Sequence, residues 1–357
     1  MKKIVFTGGG TFGHAMPNVY LIEQFKKSAG EYNCFYIGST GIEKRLVENK
    51  VEQYFTIPTV KLIRGKFFAN LKIPFVLISA IAKSKKALKQ IKPDVVFSKG
   101  GYVALPVCIA AKMLKIPVIA HESDYSFGLA NKIILKTCTK MCVNFEKLTE
   151  KSKKVVYTGP IFGTNYDNKT SKIKDGQTIN NQPIHLNSNL PTLLVVGGSL
   201  GAVGLNKLVC ATAKDLQTKF NIIHITGKGN KNLPSFGNYN AVEMVEDMNS
   251  VYNTVDFIVG RAGAGVTAEC YFKKLPMILV PLENKASRGD QVQNAQYYVS
   301  HGVAELYHEA DLTPNALQQA IEDFYKNINK YKQKYKEIKP TNGRQKIVNL
   351  ISEIFNN

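Results

Sequence analysis

The sequence predicts an α/β protein made of two doubly wound, parallel-sheet domains. A short apolar run, residues 3–6, leads into Thr7-Gly8-Gly9-Gly10-Thr11-Phe12-Gly13-His14. Val19, Ile22 and Phe25 then recur three apart, so a strand, a glycine turn and a helix follow one another. The same order returns about half a chain later: residues 191–196 are apolar, Gly197-Gly198-Ser199-Leu200-Gly201-Ala202 is the turn, and Asn206, Leu208 and Val209 enter a helical pattern. With 357 residues and 44% hydrophobic side chains, each half can bury a core of its own.

Each element has a local reason. Glycines admit positive φ and let a ligand approach the backbone. The helix start beyond them offers unpaired N–H groups and partial positive charge, which suits a diphosphate. The spacing is not the G-x-G-x-x-G of dinucleotide sites. His14 ends the turn and titrates near neutrality, so it is a candidate base; a helix-capping histidine in a tight βα turn is the alternative. Residues 33–39 read as a second strand, and 41–47 open a helix. Residues 61–92 then place Phe67, Phe68, Leu71, Ile73, Phe75 and Ile78 among nine Lys and Arg with no acid. That pattern fits either an interfacial membrane element or an ordinary helix with a basic solvated face.

Residues 94–98 read as a strand ending in Lys99-Gly100-Gly101-Tyr102, with a helix over 103–114. Residues 117–120 are a strand ending in His121-Glu122-Ser123-Asp124, and Gly128-Leu129-Ala130-Asn131-Lys132 start the next helix. Residues 141–145 and 155–159 close the half. Residues 165–189 are polar and read as a linker or long surface loop. The second half alternates again. Strands are expected at 221–225 and 241–245, then at 256–259 before Gly260-Arg261-Ala262-Gly263-Ala264-Gly265, with Thr267 and Glu269 on the helix that follows. A strand at 276–281 precedes Ser287-Arg288-Gly289-Asp290-Gln291. Ile347, Leu350, Ile351 and Ile354 give a last helix. In a parallel sheet the strand C-termini form the ligand edge, and three such ends here carry glycines, histidines and carboxylates.

The net charge of +20 suits anionic partners. No RNA-binding signature and no helix-turn-helix is present, and Trp is absent, which argues against nucleic acid. Residues 1–3 run straight into the first strand, so no secretory leader is expected. No apolar run reaches the ~18–20 residues of a membrane span. The six cysteines are scattered, and Cys138 and Cys142 lack a second pair, so neither zinc nor a disulfide framework is expected.

The runs TGGGTFGHAMPN, SKGGYVALP, HESD with GLANK, LLVVGGSLGA, GRAGAGVTAE and SRGDQVQNA fall in this order. Together they resemble the MurG family of peptidoglycan glycosyltransferases, above all its Gram-positive branch, from Lys3 to about Asn294. The resemblance implies a GT-B fold, two Rossmann-like domains with parallel sheets facing a central cleft. It implies an N-terminal domain over 1–160 joined by a C-terminal helix at 341–357, a polar linker at 161–190, and a C-terminal domain over 191–340. It further implies inverting transfer of N-acetylglucosamine from UDP-N-acetylglucosamine, held by the C-terminal domain. The acceptor would be the 4-hydroxyl of undecaprenyl-linked lipid I, the product lipid II, and the place the cytoplasmic face of the cell membrane, peripherally attached to its anionic surface. No cofactor and no metal are expected.

By the same resemblance, His14 or Glu122 would be the base. Donor contacts would come from Thr11, Phe12, Gly13, Ser199, Val245, Met248, Ala264, Glu269, Asp290 and Gln291, with Glu269 on the ribose hydroxyls. Acceptor contacts would come from Gly10, Gly100, Gly101, Tyr102, Asp124 and Asn131. The chain departs from the family pattern in three places. The Arg usually found shortly after Gly159 is missing, with Arg261 and Lys99 as possible substitutes; Phe12 replaces a smaller residue; Asp124 stands where many relatives have Asn. Another UDP-N-acetylglucosamine enzyme of the same fold, such as an epimerase or a glycolipid transferase, and a catalytically degenerate cell-wall scaffold are the alternatives.

Overall fold

β1 (Lys2–Thr7) shows how the first apolar run becomes a central strand. Ile4 and Phe6 face one side of the sheet and Val5 the other, and all three are fully buried. In this computed structural model all residues are described except 28–30, 63–69, 164–165, 167–171, 180–181, 199–200, 231–232, 234, 284–287 and 357. The chain divides into two units, Met1–Thr164 with Thr341–Asn357, and Asn165–Pro340.

In the first unit β1 pairs in parallel with β2 (Tyr32–Gly38) on one side and β4 (Val95–Ser98) on the other. β3 (Gln53–Thr56), β5 (Val118–Glu122), β6 (Lys140–Val143) and β7 (Val155–Tyr157) complete a seven-stranded parallel sheet of order β3-β2-β1-β4-β5-β6-β7. The order reverses between β1 and β4, and at such a switch point parallel sheets bind ligands beyond the strand C-termini. Helices α1 (Phe12–Lys27), α2 (Ile42–Val47), α3 (Ile73–Ile91), α4 (Gly101–Met113) and α5 (Leu129–Thr137) connect the strands. α3 stops where Lys92 takes a left-handed turn (φ 52°) before Pro93, which cannot continue a helix.

In the second unit β10 (Thr192–Val196), β11 (Asn221–Ile225), β12 (Tyr239–Val242), β13 (Phe257–Gly260), β14 (Met277–Leu279) and β15 (Ala304–Leu306) form a parallel sheet of order β12-β11-β10-β13-β14-β15. Its switch point lies between β10 and β13. The helices are α6 (Val203–Leu216), α7 (Met248–Thr254), α8 (Ala264–Phe272), α9 (Asp290–Ser300), α10 (Pro314–Lys326) and α11 (Ile328–Glu337). Thr313 caps α10 by accepting from Ala316 N–H, with Pro314 in the first turn.

Two stretches take their place from tertiary contacts. The last helix, α12 (Arg344–Ile354), belongs to the first unit: Ile347 and Ile351 are fully buried in the cluster holding Ile4, Phe6 and Phe25. Arg344 Nη1 donates to Phe162 O at 2.9 Å. The polar stretch ahead of β10 belongs to the second unit. It carries a short antiparallel pair, β8 (Thr178–Ile179) with β9 (Gln182–Pro183). His185 N–H donates to the Asn240 side chain and Asn187 N–H to that of Asn221, so two buried amides tie its backbone to the sheet.

Candidate active site

The first unit brings three strand ends into contact. The turn after β1 is held from below by Glu43, a fully buried carboxylate. It accepts from the N–H of Gly10 at 3.1 Å and of Ser39 at 3.0 Å, and from the Ser39 hydroxyl. A Cβ on Gly9 would lie 2.3 Å from that carboxyl carbon, so only glycine fits. The sequence reading missed Glu43, because an acid at a helix start looks like a surface residue. Tyr102 lies over Gly10.

His14 stands in the first turn of α1 rather than at the end of a loop, because Thr11 O accepts from the N–H of both His14 and Ala15. His14 Nδ1 and Thr11 Oγ1 are 2.8 Å apart. The opposite edge of the ring faces the second turn: a Cβ on Gly101 (φ 80°) would lie 3.7 Å from His14 Nε2 and 3.3 Å from Gly9 O. The two glycine turns therefore touch at the imidazole. Phe12 and Gly13 lie in the same first turn of α1, with Gly13 exposed.

The third strand end is organised by Glu122. One carboxylate oxygen accepts from the N–H of Ser123 (2.9 Å) and Asp124 (3.1 Å); the other accepts from Gly128 N–H (3.0 Å) and Asn131 Nδ2 (2.9 Å). Asn131 packs in turn on Gly100, whose Cβ would meet its amide at 2.6 Å. Asp124 is half-buried on this loop. Beneath it lies Lys99, buried, donating through Nζ to Ser123 Oγ. Burial lowers its pKa to about 8, against the pull of Glu122 and Asp124. His121 is held well below its ordinary pKa by burial, with Lys99 and His14 nearby, and so is neutral.

In the second unit the expected donor residues line the strand C-terminal edge. Ser199 lies outside the described residues. Gly201 (φ 74°) lets the β10 turn press on Thr226 O, where a Cβ would lie 2.2 Å away. Ala264 opens α8 and is buried; Glu269 sits further along it, half-buried. The Tyr252 hydroxyl of α7 donates to Glu269 Oε2 at 2.7 Å. Val245 lies beyond the end of β12, which spans Tyr239–Val242 rather than the expected 241–245. It lines a hollow with Ile173, Thr178, Asp247 and Ser250. Asp247 caps α7 ahead of Met248 by accepting from Asn249 N–H at 3.1 Å. Asp290 opens α9 and pairs with Arg288 at 3.2 Å; Gln291 Oε1 accepts from Leu282 N–H at 2.9 Å.

Arg261 has a different task from the missing Arg it was expected to replace. Its Nη1 donates to the carbonyls of Val280 (3.0 Å) and Pro281 (3.2 Å), and its Nη2 pairs with Glu309. Its donors are engaged in holding the end of β14. Lys99, the other expected substitute, sits under the third strand end of the first unit.

Two all-parallel sheets of doubly wound order, each with glycine turns and helix N-termini beyond its strand C-termini, define a protein of two Rossmann-like domains. The glycosyltransferase family 28 N-terminal domain matches residues 4–143 and the family 28 C-terminal domain residues 192–351. The UDP-N-acetylglucosamine–N-acetylmuramyl-(pentapeptide) pyrophosphoryl-undecaprenol N-acetylglucosamine transferase of Clostridium botulinum (strain Langeland) is 40% identical over 361 residues, with 99% of each chain covered. The enzyme of the same name from Lachnospira eligens is 37% identical over 364 residues, again with 99% of each covered. Among solved structures, MurG of Acinetobacter baumannii matches with a TM-score of 0.74 at 24% identity, covering 99% of this chain and 100% of that one. The S. aureus MnaA–UDP structure matches at 0.69 and 15%, covering 100% of this chain and 97% of that one. The chain belongs to the MurG family of family 28 glycosyltransferases.

Proposed function

We propose that this chain transfers N-acetylglucosamine from UDP-N-acetylglucosamine to the muramoyl 4-hydroxyl of undecaprenyl-diphosphate-linked lipid I, with inversion, giving lipid II. Family membership at 40% identity over nearly the whole chain supports the substrates. The observation that carries the chemistry is the imidazole of His14 at the joint of two glycine turns, with Nδ1 on Thr11 Oγ1 and Nε2 toward Gly101. With Nδ1–H donating to Thr11, Nε2 carries the lone pair and takes the proton of the attacking hydroxyl. Glu122 is the weaker base candidate, since four hydrogen bonds already occupy its carboxylate. Thr11, Phe12, Gly13 and the N–H groups around Gly10, Gly100 and Gly101 would bind diphosphate and sugar, with Tyr102, Asp124 and Asn131 framing the acceptor. In the second unit, helix N-termini at Ala264 and Asp290 would stabilise the departing UDP, Glu269 would take the ribose diol, Gln291 the sugar hydroxyls, and Val245 and Met248 the base.

The same reading puts the first unit against a bilayer. Among the described residues no helix is long and apolar enough to cross a membrane. On α3, however, Phe75 is 76% and Ile78 66% exposed, with Leu71 and Leu62 beside them in sequence and also exposed. Lys83, Lys86 and Lys89 continue the exposed side of the helix, while Ala80, Ser84, Ala87 and Leu88 are buried. Residues 63–69 of the basic apolar stretch lie outside the described residues. The exposed apolar end would enter the head-group boundary of the cytoplasmic leaflet, and the lysines would meet anionic lipid.

The test is incubation of the purified protein with UDP-N-acetylglucosamine and a short-chain lipid I analogue. UDP release that requires the acceptor, with a disaccharide product, is expected. Conversion of the donor alone would mark an epimerase, and no turnover a scaffold. Changing Phe75 and Ile78 to Ser should release the protein from anionic vesicles while sparing turnover on the short-chain acceptor; unchanged sedimentation would place the membrane contact elsewhere.

A further inference from the structure

The stretch of chain that lacks the family's Arg contributes a different side chain to the second unit. Tyr166, seven residues beyond Gly159, is 6% exposed, and its hydroxyl hydrogen-bonds the Glu269 carboxylate. Tyr252, 2% exposed, reaches the same carboxylate from α7 and donates to Oε2. Lys273, just past the end of α8, lies 5.5 Å from the centre of the Tyr166 ring and donates to Asn253 Oδ1 at 3.2 Å. Cys270, next to Glu269 on α8, is buried and held as a thiol. Glu269 is thus a half-buried carboxylate gripped by two phenols from two different segments.

A glutamate side chain has several rotamers, and an unheld one reads a diol poorly because it must be ordered on binding. We infer that Tyr166 and Tyr252 are positioning residues for the nucleotide: they lock the Glu269 carboxylate in one orientation and leave acceptor capacity for the vicinal diol of a nucleoside diphosphate. The inference rests on the reading of Glu269 as the ribose contact. Neither phenol touches the sugar or the reacting atoms; both act through Glu269. Burial raises the pKa of Glu269 and the two phenols oppose that rise. Removing a phenol therefore moves protonation of Glu269, and with it the acid-side loss of nucleotide binding, to higher pH.

The experiment is calorimetric titration of the full chain with UDP and with 2′,3′-dideoxy-UDP across the acid range, for wild type, Tyr166→Phe, Tyr252→Phe and Glu269→Gln. Phe keeps each ring and its packing, so unchanged melting temperatures are expected, and each variant serves if the other fails to fold. Each Phe variant should bind UDP about three- to tenfold more weakly, the worth of one hydrogen bond, and lose it at higher pH than wild type. Dideoxy-UDP, which has no diol, should bind wild type and both Phe variants alike. If Glu269→Gln weakens UDP while both Phe variants match wild type throughout, the phenols only pack and the inference is overturned. If Glu269→Gln itself binds UDP as wild type does, the ribose reading falls and the inference with it.

Discussion

Glu122 in the first unit and Glu269 in the second are both carboxylates at the ligand edge of a parallel sheet, yet they are used in opposite ways. Glu122 ends β5 and is surrounded by its own loop, so three backbone N–H groups and an Asn amide saturate both oxygens. Glu269 lies within α8, where the backbone N–H groups are already bonded along the helix. Its partners are phenols from elsewhere, and capacity remains. A carboxylate's task follows from how many donors the fold has already pointed at it. On the proposed function, the first unit uses Glu122 to build a loop and leaves chemistry to His14, while the second keeps Glu269 for recognition.

The largest effect that would sharpen this contrast is on rate. His14→Ala should lower kcat by about 10²–10⁴, the usual worth of a general base, with donor KM little changed. A near-wild-type kcat would return the base to Glu122 and undo the division of labour.

Next comes stability. Glu122→Ala strands three backbone N–H groups and leaves the Asn131 amide only the His121 carbonyl, each unpaired group costing about 1–3 kcal/mol. With local relaxation, urea unfolding should report a loss of about 3–5 kcal/mol, within the range for breaking a buried polar network. A mutant with wild-type stability and only a lost kcat would make Glu122 catalytic and erase the comparison.

Glu269→Ala should do the reverse. Donor KM should rise about ten- to a hundredfold, matching a charge-assisted hydrogen bond of about 1.5–3 kcal/mol. The urea midpoint should move less than for Glu122→Ala, because two phenol hydroxyls lose an acceptor where Glu122→Ala deprives three backbone N–H groups and an Asn amide. Unfolding comparable to that of Glu122→Ala would show that Glu269 too is architecture.

The smallest effect concerns Lys99, the buried ammonium beside Glu122. Its folded pKa of about 8 lies below the ordinary 10.5. Between those values the unfolded chain binds the extra proton, so wild-type stability should gain with rising pH over that window relative to Lys99→Met. Parallel stability curves for the two proteins from pH 8 to 10.5 would mean that Lys99 is solvated and plays no part in holding the Glu122 loop.

Much of this was readable in local pattern. The strand–glycine–helix units at β1, β4 and β10 rest on apolar runs and glycines within a few residues of one another. The doubly wound fold and the glycine turns at the strand ends follow from them. His14 was legible as a polar residue ending a glycine turn, and Glu269 and Gln291 as residues that the family resemblance implies. The burial of Glu43, Lys99 and Tyr166 was not legible. Each is a polar or charged residue that composition assigns to the surface. Each is buried because a distant segment supplies its partner: the Gly10 turn for Glu43, Ser123 for Lys99, Glu269 for Tyr166. Arg261 misled for the same reason, since its guanidinium is claimed by carbonyls at the end of β14 and by Glu309.

By itself the sequence determined the elements, their α/β alternation and the glycine turns, because these depend on side-chain periodicity and on which φ values a residue tolerates. The tertiary structure alone decided the attachment of the polar stretch to the second unit; the return of α12 to the first, which the family resemblance implied, is written in no local pattern and rests on tertiary contacts. Tertiary structure also decided which carboxylate was saturated. These depend on hydrogen-bond partners up to 182 residues apart. A buried donor or acceptor takes whatever partner the completed packing brings within about 3 Å.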